Sequence, residues 1–173
     1  MARLSYVEKE GAGPDQEKIL AQVTQKSGKI ANIWKLWAHS PLTLETFMPF
    51  YKALMMKGSL DGKLRELAYV KTSLLNGCPY CAGPHKSVGL KVGVTEQQLA
   101  EIDTYSSSAA FSPAEKAVLR YTEELTRNVK TSDEAMQDLK KHLNETQIVE
   151  LTLTVGMANL TNRFNVSLAT DPD

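Results

Sequence analysis

The sequence predicts an all-α protein, and three observations carry that reading. Apolar residues recur at helical spacing from Asp15 nearly to the end of the chain. Two Ser-Pro pairs, Ser40–Pro41 and Ser112–Pro113, have the form of a helix N-cap followed by proline at the first helical position. Asn76–Gly77 has the form of a helix stop. About eight helices are expected, preceded by a polar, glycine-containing arm over residues 1–14.

Taken in order, "DQEKILAQVTQKSG" sets Ile19, Leu20 and Val23 on one face and is expected to end at Gly28. "IANIWKLWAHS" carries Ile33, Trp34 and Trp37 at helical spacing. The helix opened by Ser40 contains Pro49, which is expected to kink it. "DGKLRELAYVKTSLLNG" runs from Asp61 to the Asn76–Gly77 stop, and a short helix then carries "CPYC" to near Gly93. "TEQQLAEI" starts on a Thr95 cap. "SPAEKAVLRYTEELTRNV" opens with Ser112 and Glu115 as a capping box. "SDEAMQDLKKHL" and "NETQIVELTLTVGMANLTNRFNVSL" complete the chain. Only "VELTLTV" alternates like a strand, and its helical flanks are expected to override it.

The 173 residues suit one buried domain, expected over 15–173. A half-repeat is also expected, 40–93 over 112–170, which lays Glu66 on Glu150 and Cys78 on Asn162. Hydrophobic residues make up 42% of the chain, and 20 basic residues balance 20 acidic ones, which argues against nucleic acid or anionic membrane as partner. No apolar run approaches the roughly 20 residues of a membrane span. The N-terminus lacks the basic-then-apolar pattern of a signal peptide, so the expected location is the cytoplasm. In that reducing compartment a cysteine pair points to catalysis or metal binding rather than to a structural bridge.

The two cysteines of the chain are Cys78 and Cys81, with His85 four residues further on. If the chain turns at Gly77, Cys78 lies at the N-cap of the next helix and Pro79 at its first position. Residues three apart there have Cα atoms roughly 5–6 Å apart, within disulfide reach. The helix N-terminus favours thiolate over thiol. The same reversal packs this helix antiparallel on its predecessor and brings Glu66 roughly level with His85, with Cys81 between His85 and the turn. A Glu–His–Cys relay follows, the carboxylate orienting the imidazole and the imidazole taking the thiol proton. Glu66 shares its face with Tyr69, Val70 and Ser73.

Glu66, eleven residues, "CPYC", three residues and His85 together resemble the E-x11-C-x-x-C-x-x-x-H signature of alkylhydroperoxidase AhpD and its relatives in the carboxymuconolactone decarboxylase superfamily. The all-α pattern and the closing "NRFN" are similar to that group as well. The resemblance implies an AhpD-type thiol peroxidase or disulfide reductase. It would be a homo-oligomer, a trimer or hexamer, with a hydroperoxide as substrate and a lipoylated or thioredoxin-like dithiol as reductant. By the same resemblance Cys81 is the peroxidatic thiol, Cys78 the resolving thiol, and His85 and Glu66 move the proton. AhpD carries histidine where this chain has Tyr80. A tyrosine, with a pKa near 10, is no base at neutral pH, but it can donate a hydrogen bond to a peroxide oxygen. The chemistry requires no cofactor and no metal.

Other readings of the same residues stay open in the sequence. Cys78 and Cys81 could be small buried hydrophobes, or could join His85 and Glu66 around zinc. Glu66 could be an exposed charge paired with Lys63. His39 and His142 read as surface or cap residues, and Trp34, Trp37, Met55 and Met56 as core or subunit interface. Two further functions are the superfamily's namesake decarboxylation of a muconolactone, which has no use for two thiols, and a non-enzymatic redox-sensing oligomer.

Overall fold

The structure is a computed structural model and describes residues 1–24 and 28–173. Nine α-helices are present among the described residues, with no strand. They are α1 (Pro14–Val23), α2 (Asn32–Trp37), α3 (Pro41–Lys57), α4 (Gly62–Leu75) and α5 (Pro79–Lys91), then α6 (Glu96–Ala100), α7 (Pro113–Asn128), α8 (Asp133–Leu139) and α9 (Glu145–Leu168). A single 3-10 turn, Ile102–Thr104, follows α6. The class is the one expected. The α1 helix ends at Val23, with Thr24 already extended. The expected continuation to Gly28 crosses residues 25–27, which lie outside the described residues.

The Ser112 and Thr95 caps read from sequence form, whereas Ser40 stands at the N-cap position of α3 without a side-chain cap bond. Ser112 accepts from the Glu115 N–H while Glu115 reaches back to the Ser112 N–H, and Thr95 and Gln98 do the same at α6. The α3 helix continues through Pro49, and α5 through Pro84. The strand-like "VELTLTV" lies inside α9. There the hydroxyls of Thr152 and Thr154 donate to the carbonyls four residues back, at 2.7 and 2.8 Å. β-Branched residues are accommodated by these bonds and by burial of Leu151 and Val155.

The α4 helix is the centre of the fold. Eight consecutive residues, Glu66 to Ser73, are buried, because α5, α7 and α9 pack around it. Its Leu67 and Val70 face Val94, Ile102, Phe111 and Leu119, while Ala68 joins Val118, Leu151 and Val155. A helix buried all round must satisfy its polar side chains internally. Glu66, Tyr69, Lys71, Thr72 and Ser73 find partners here, while Arg65 Nε is buried without one among the described residues.

Two glycines set the α4–α5 hairpin. Gly77 has φ +63°, the left-handed turn that reverses the chain, after which the Cys78 N–H donates to the Ser73 carbonyl at 2.9 Å. Gly89 lets α5 lie close to α4: a Cβ there would meet the Val94 side chain at 3.3 Å and the Glu66 Cβ at 3.6 Å.

The first residues dock on the last ones. The Ala2 N–H and the Tyr6 hydroxyl both donate to Asp171, and the Val7 N–H donates to the Lys35 carbonyl. Among the described residues no helix is long and apolar enough to cross a membrane.

Candidate active site

The hairpin sets Cys78 as the N-cap residue of α5 and Cys81 one turn later, their Cα atoms 5.4 Å apart and their sulfurs joined in a disulfide. Cys78 is 1% exposed and walled in, whereas Cys81 is 5% exposed and opens onto a cavity of about 190 Å³. His85, one turn further along α5, lines the same cavity.

Glu66 and His85 meet across the hairpin, with Glu66 Oε2 2.7 Å from His85 Nδ1. A carboxylate only accepts, so Nδ1 is the donor of this hydrogen bond. Glu66 is 3% exposed, which overturns the alternative of a surface charge paired with Lys63. Lys63 pairs instead with Glu115. The Tyr69 ring stacks on the imidazole, centroids 3.5 Å apart and planes within 11°, and the Tyr69 hydroxyl bonds Thr161 at 2.6 Å. The histidine is therefore fixed at one nitrogen and along one face.

Four aromatic rings line the cavity as well: Trp34, Tyr51, Tyr69 and Tyr80. Burial, followed by the negative charge of Glu66, pushes the Tyr51 phenol up to about 12. Burial likewise raises Tyr69 and Tyr80, in each case against the lowering effect of a hydrogen bond, from Thr161 and from the Ile33 N–H respectively. All three stay neutral at physiological pH. The Tyr80 hydroxyl lies 3.0 Å from each carboxylate oxygen of Asp173 and accepts from the Ile33 N–H at 3.1 Å. Its one hydrogen is thus directed at Asp173.

The α9 helix closes the back of the site with polar residues that sequence reasoning left without a role. The Asn162 amide donates to Ser73 Oγ at 3.1 Å and its carbonyl accepts from Asn76 Nδ2 at 2.9 Å, pinning the turn before Cys78. Asn165 Nδ2 lies 3.4 Å from Cys81 Sγ. Arg163 is exposed and bonds only Asn159, and Glu150 binds the Leu60 N–H and the Ser59 hydroxyl ahead of α4. His39 is exposed at the surface, with Nε2 2.8 Å from the Ser5 carbonyl oxygen, and His142 is exposed too. Trp37 stacks on Phe164, Met55 is buried, and Met56 is exposed. Asn165 and Thr161 had a signal in sequence, amides and hydroxyls on the face of α9 that should be apolar. Trp34 and Asp173 had none, since they reach the cavity only through the fold.

A buried disulfide beside a carboxylate–imidazole pair and a cavity with aromatic walls makes up the candidate site of this helical scaffold. The comparisons with known proteins agree with that fold. The model of the "Carboxymuconolactone decarboxylase family" matches residues 41–124. The chain is 31% identical over 114 residues to the uncharacterized protein YdfG of Bacillus subtilis (strain 168), covering 65% of this chain and 78% of YdfG. It belongs to the carboxymuconolactone decarboxylase family.

Among solved structures, an AhpD-core, peroxidase-related protein from Ralstonia eutropha JMP134 superposes with a TM-score of 0.84 at 21% identity, covering 99% of this chain and 92% of that one. The debrominase Bmp8 in complex with 2,3,4-tribromopyrrole superposes with a TM-score of 0.82 at 16% identity, covering 100% and 94%. The AhpD-like fold is thus shared by proteins described with different chemistries.

Proposed function

We propose that this protein is a thiol-dependent hydroperoxide reductase working through a Cys78–Cys81 dithiol/disulfide cycle. The observation that carries the reading is His85, held by Glu66 at 2.7 Å, lining the same cavity as Cys81, while Cys78 lies walled in behind it. His85 takes the Cys81 thiol proton, and the thiolate attacks the outer peroxide oxygen. The O–O bond breaks, Cys81 becomes a sulfenic acid, and the leaving alkoxide takes the proton back from His85 to leave as alcohol. The Cys78 thiol then displaces hydroxide from the Cys81 sulfur, so one water leaves and the disulfide forms. A dithiol, lipoylated or thioredoxin-like, returns two electrons and two protons. Glu66 holds the imidazole tautomer and stabilises the imidazolium between these steps.

The aromatic wall favours an organic hydroperoxide over hydrogen peroxide. Tyr80 supports the site by anchoring Asp173 at its rim rather than by donating to the peroxide. The exposed apolar positions Val149, Leu153 and Leu160 of α9 support the homo-oligomer, as a trimer or hexamer. The cytoplasm is where a dithiol donor is maintained.

The test is consumption of cumene hydroperoxide with dihydrolipoamide as donor, for the parent, Cys78→Ser and Cys81→Ser. Turnover by the parent, none by Cys81→Ser, and a single turnover ending in a Cys81 sulfenic acid for Cys78→Ser is the expected pattern. Disulfide formation without peroxide turnover would leave a redox sensor, and conversion of a muconolactone by the double Cys→Ser variant would make it a decarboxylase.

A further inference from the structure

We propose that Asn165 is a catalytic residue: its side-chain amide is a fixed N–H donor to the Cys81 sulfur and holds the reduced cysteine as thiolate. The inference rests on Cys81 being the attacking thiol. Asn165 is buried in the last turns of α9, with Nδ2 3.4 Å from Cys81 Sγ. The amide has a defined direction. A disulfide or thiolate sulfur offers only lone pairs, so the N–H side must face it. The other end is held as well, because the Thr170 hydroxyl donates to Asn165 Oδ1 at 2.9 Å. Ala169 supplies the reversal that makes this possible. With φ +52° it ends α9 in the left-handed region, and the Thr170 N–H then bonds the Asn165 carbonyl at 3.0 Å.

The surroundings of Cys81 show why such a donor is needed. Among the described residues the cavity wall contains no lysine or arginine. The titratable groups facing it are His85 from α5, Tyr51 from α3, Tyr69 from α4, Tyr80 from α5 and Asp173, with Glu66 behind His85. The phenols are neutral, and the two carboxylates oppose a second negative charge. A thiolate here is desolvated, and burial alone favours the thiol. Besides His85, the neutral donors that favour the charged form are the first turn of α5 and the Asn165 amide. Hydrogen bonds to an ionised acceptor are stronger than those to a neutral one, so the same contact that holds the disulfide sulfur tightens when the thiolate forms.

The experiment is a pH titration of the Cys81 thiolate by its ultraviolet absorbance in a Cys78→Ser background, with Asn165→Leu, Asn165→Asp and Thr170→Val. Asn165→Leu keeps the volume and removes the donor, and should raise the midpoint by about one pH unit or more. Asn165→Asp should raise it further, since it sets a carboxylate against the sulfur. Thr170→Val should raise it less, by freeing the amide to turn. Circular dichroism establishes that each variant is folded. Thr170→Val, which lies beyond the helix, decides the matter should the Asn165 variants not fold. Midpoints equal to the parent's would overturn the proposal. The titration needs no peroxide, so absence of peroxide turnover with the midpoints shifted would sink the peroxidase reading and leave the donor standing.

Discussion

Glu66 and Glu115 are both carboxylates drawn out of water, on helices that pack against one another, and their surroundings differ in one respect. Glu115 is closed on every side: Lys63 pairs with it, Gln98 Nε2 donates at 3.1 Å, and the Ser112 N–H donates at 2.8 Å. Burial alone would raise its pKa, but these donors outweigh burial and hold it below the ordinary carboxylate value. Among the described residues Glu66 has one hydrogen-bond partner, His85, and that partner opens onto a cavity with Cys81 in its wall. A carboxylate saturated by fixed donors stabilises a fold. One whose partner is an imidazole lining a cavity is equipped to pass a proton on.

The largest expected effect comes from the sulfur that the open cluster serves. Cys81→Ser should reduce peroxide consumption to background in a stopped-flow assay, and the protein should remain folded. Next, His85→Ala should slow single-turnover oxidation by about 10²–10⁴-fold, the usual contribution of a positioned acid–base group. Glu115→Gln should leave that rate unchanged while lowering unfolding stability by about 1–3 kcal/mol in urea titrations, because it removes the charge that Lys63 pairs with.

The pH dependence of stability sharpens the contrast. The folded-state pKa of Glu115 is depressed, so its contribution is fully present above the unfolded value of about 4.3 and is lost as pH falls through the lower folded value. Urea midpoints measured down that acid limb should fall more steeply in the parent than in Glu115→Gln. The smallest effect is expected at Lys71, which is 2% exposed and paired with Asp103, itself 72% exposed. Lys71→Met leaves Asp103 in solvent and its second partner, the half-buried Glu123, still paired with Arg127 at 3.0 Å, so stability should change by less than about 1 kcal/mol in either direction.

Much of this was legible in the sequence because it is local. Ser-Pro starts, capping boxes and the Asn76–Gly77 stop are decided within four or five residues, and the structure forms them. The approach of Glu66 to His85 was legible as well, since one reversal at Gly77 sets the register of both helices. What was hidden depends on chain separation. Asn165 reaches Cys81 across 84 residues, and Asp173 reaches Tyr80 across 93. The polar face of α9 marked Asn165 as unusual, but no local pattern pairs it with Cys81 or pairs Asp173 with Tyr80, whose phenol hydrogen is directed at that carboxylate. The strand-like "VELTLTV" yields to a helix because its threonines find carbonyls within their own turn.

The central claim is that the open carboxylate works and the closed one supports. It is tested most directly by the single-turnover rate of cumene hydroperoxide reduction by Glu66→Gln and Glu115→Gln, measured side by side. The account predicts that Glu66→Gln slows by about tenfold or more while Glu115→Gln stays near the parent rate. Equal rates for the two variants, or a slower Glu115→Gln, would contradict it.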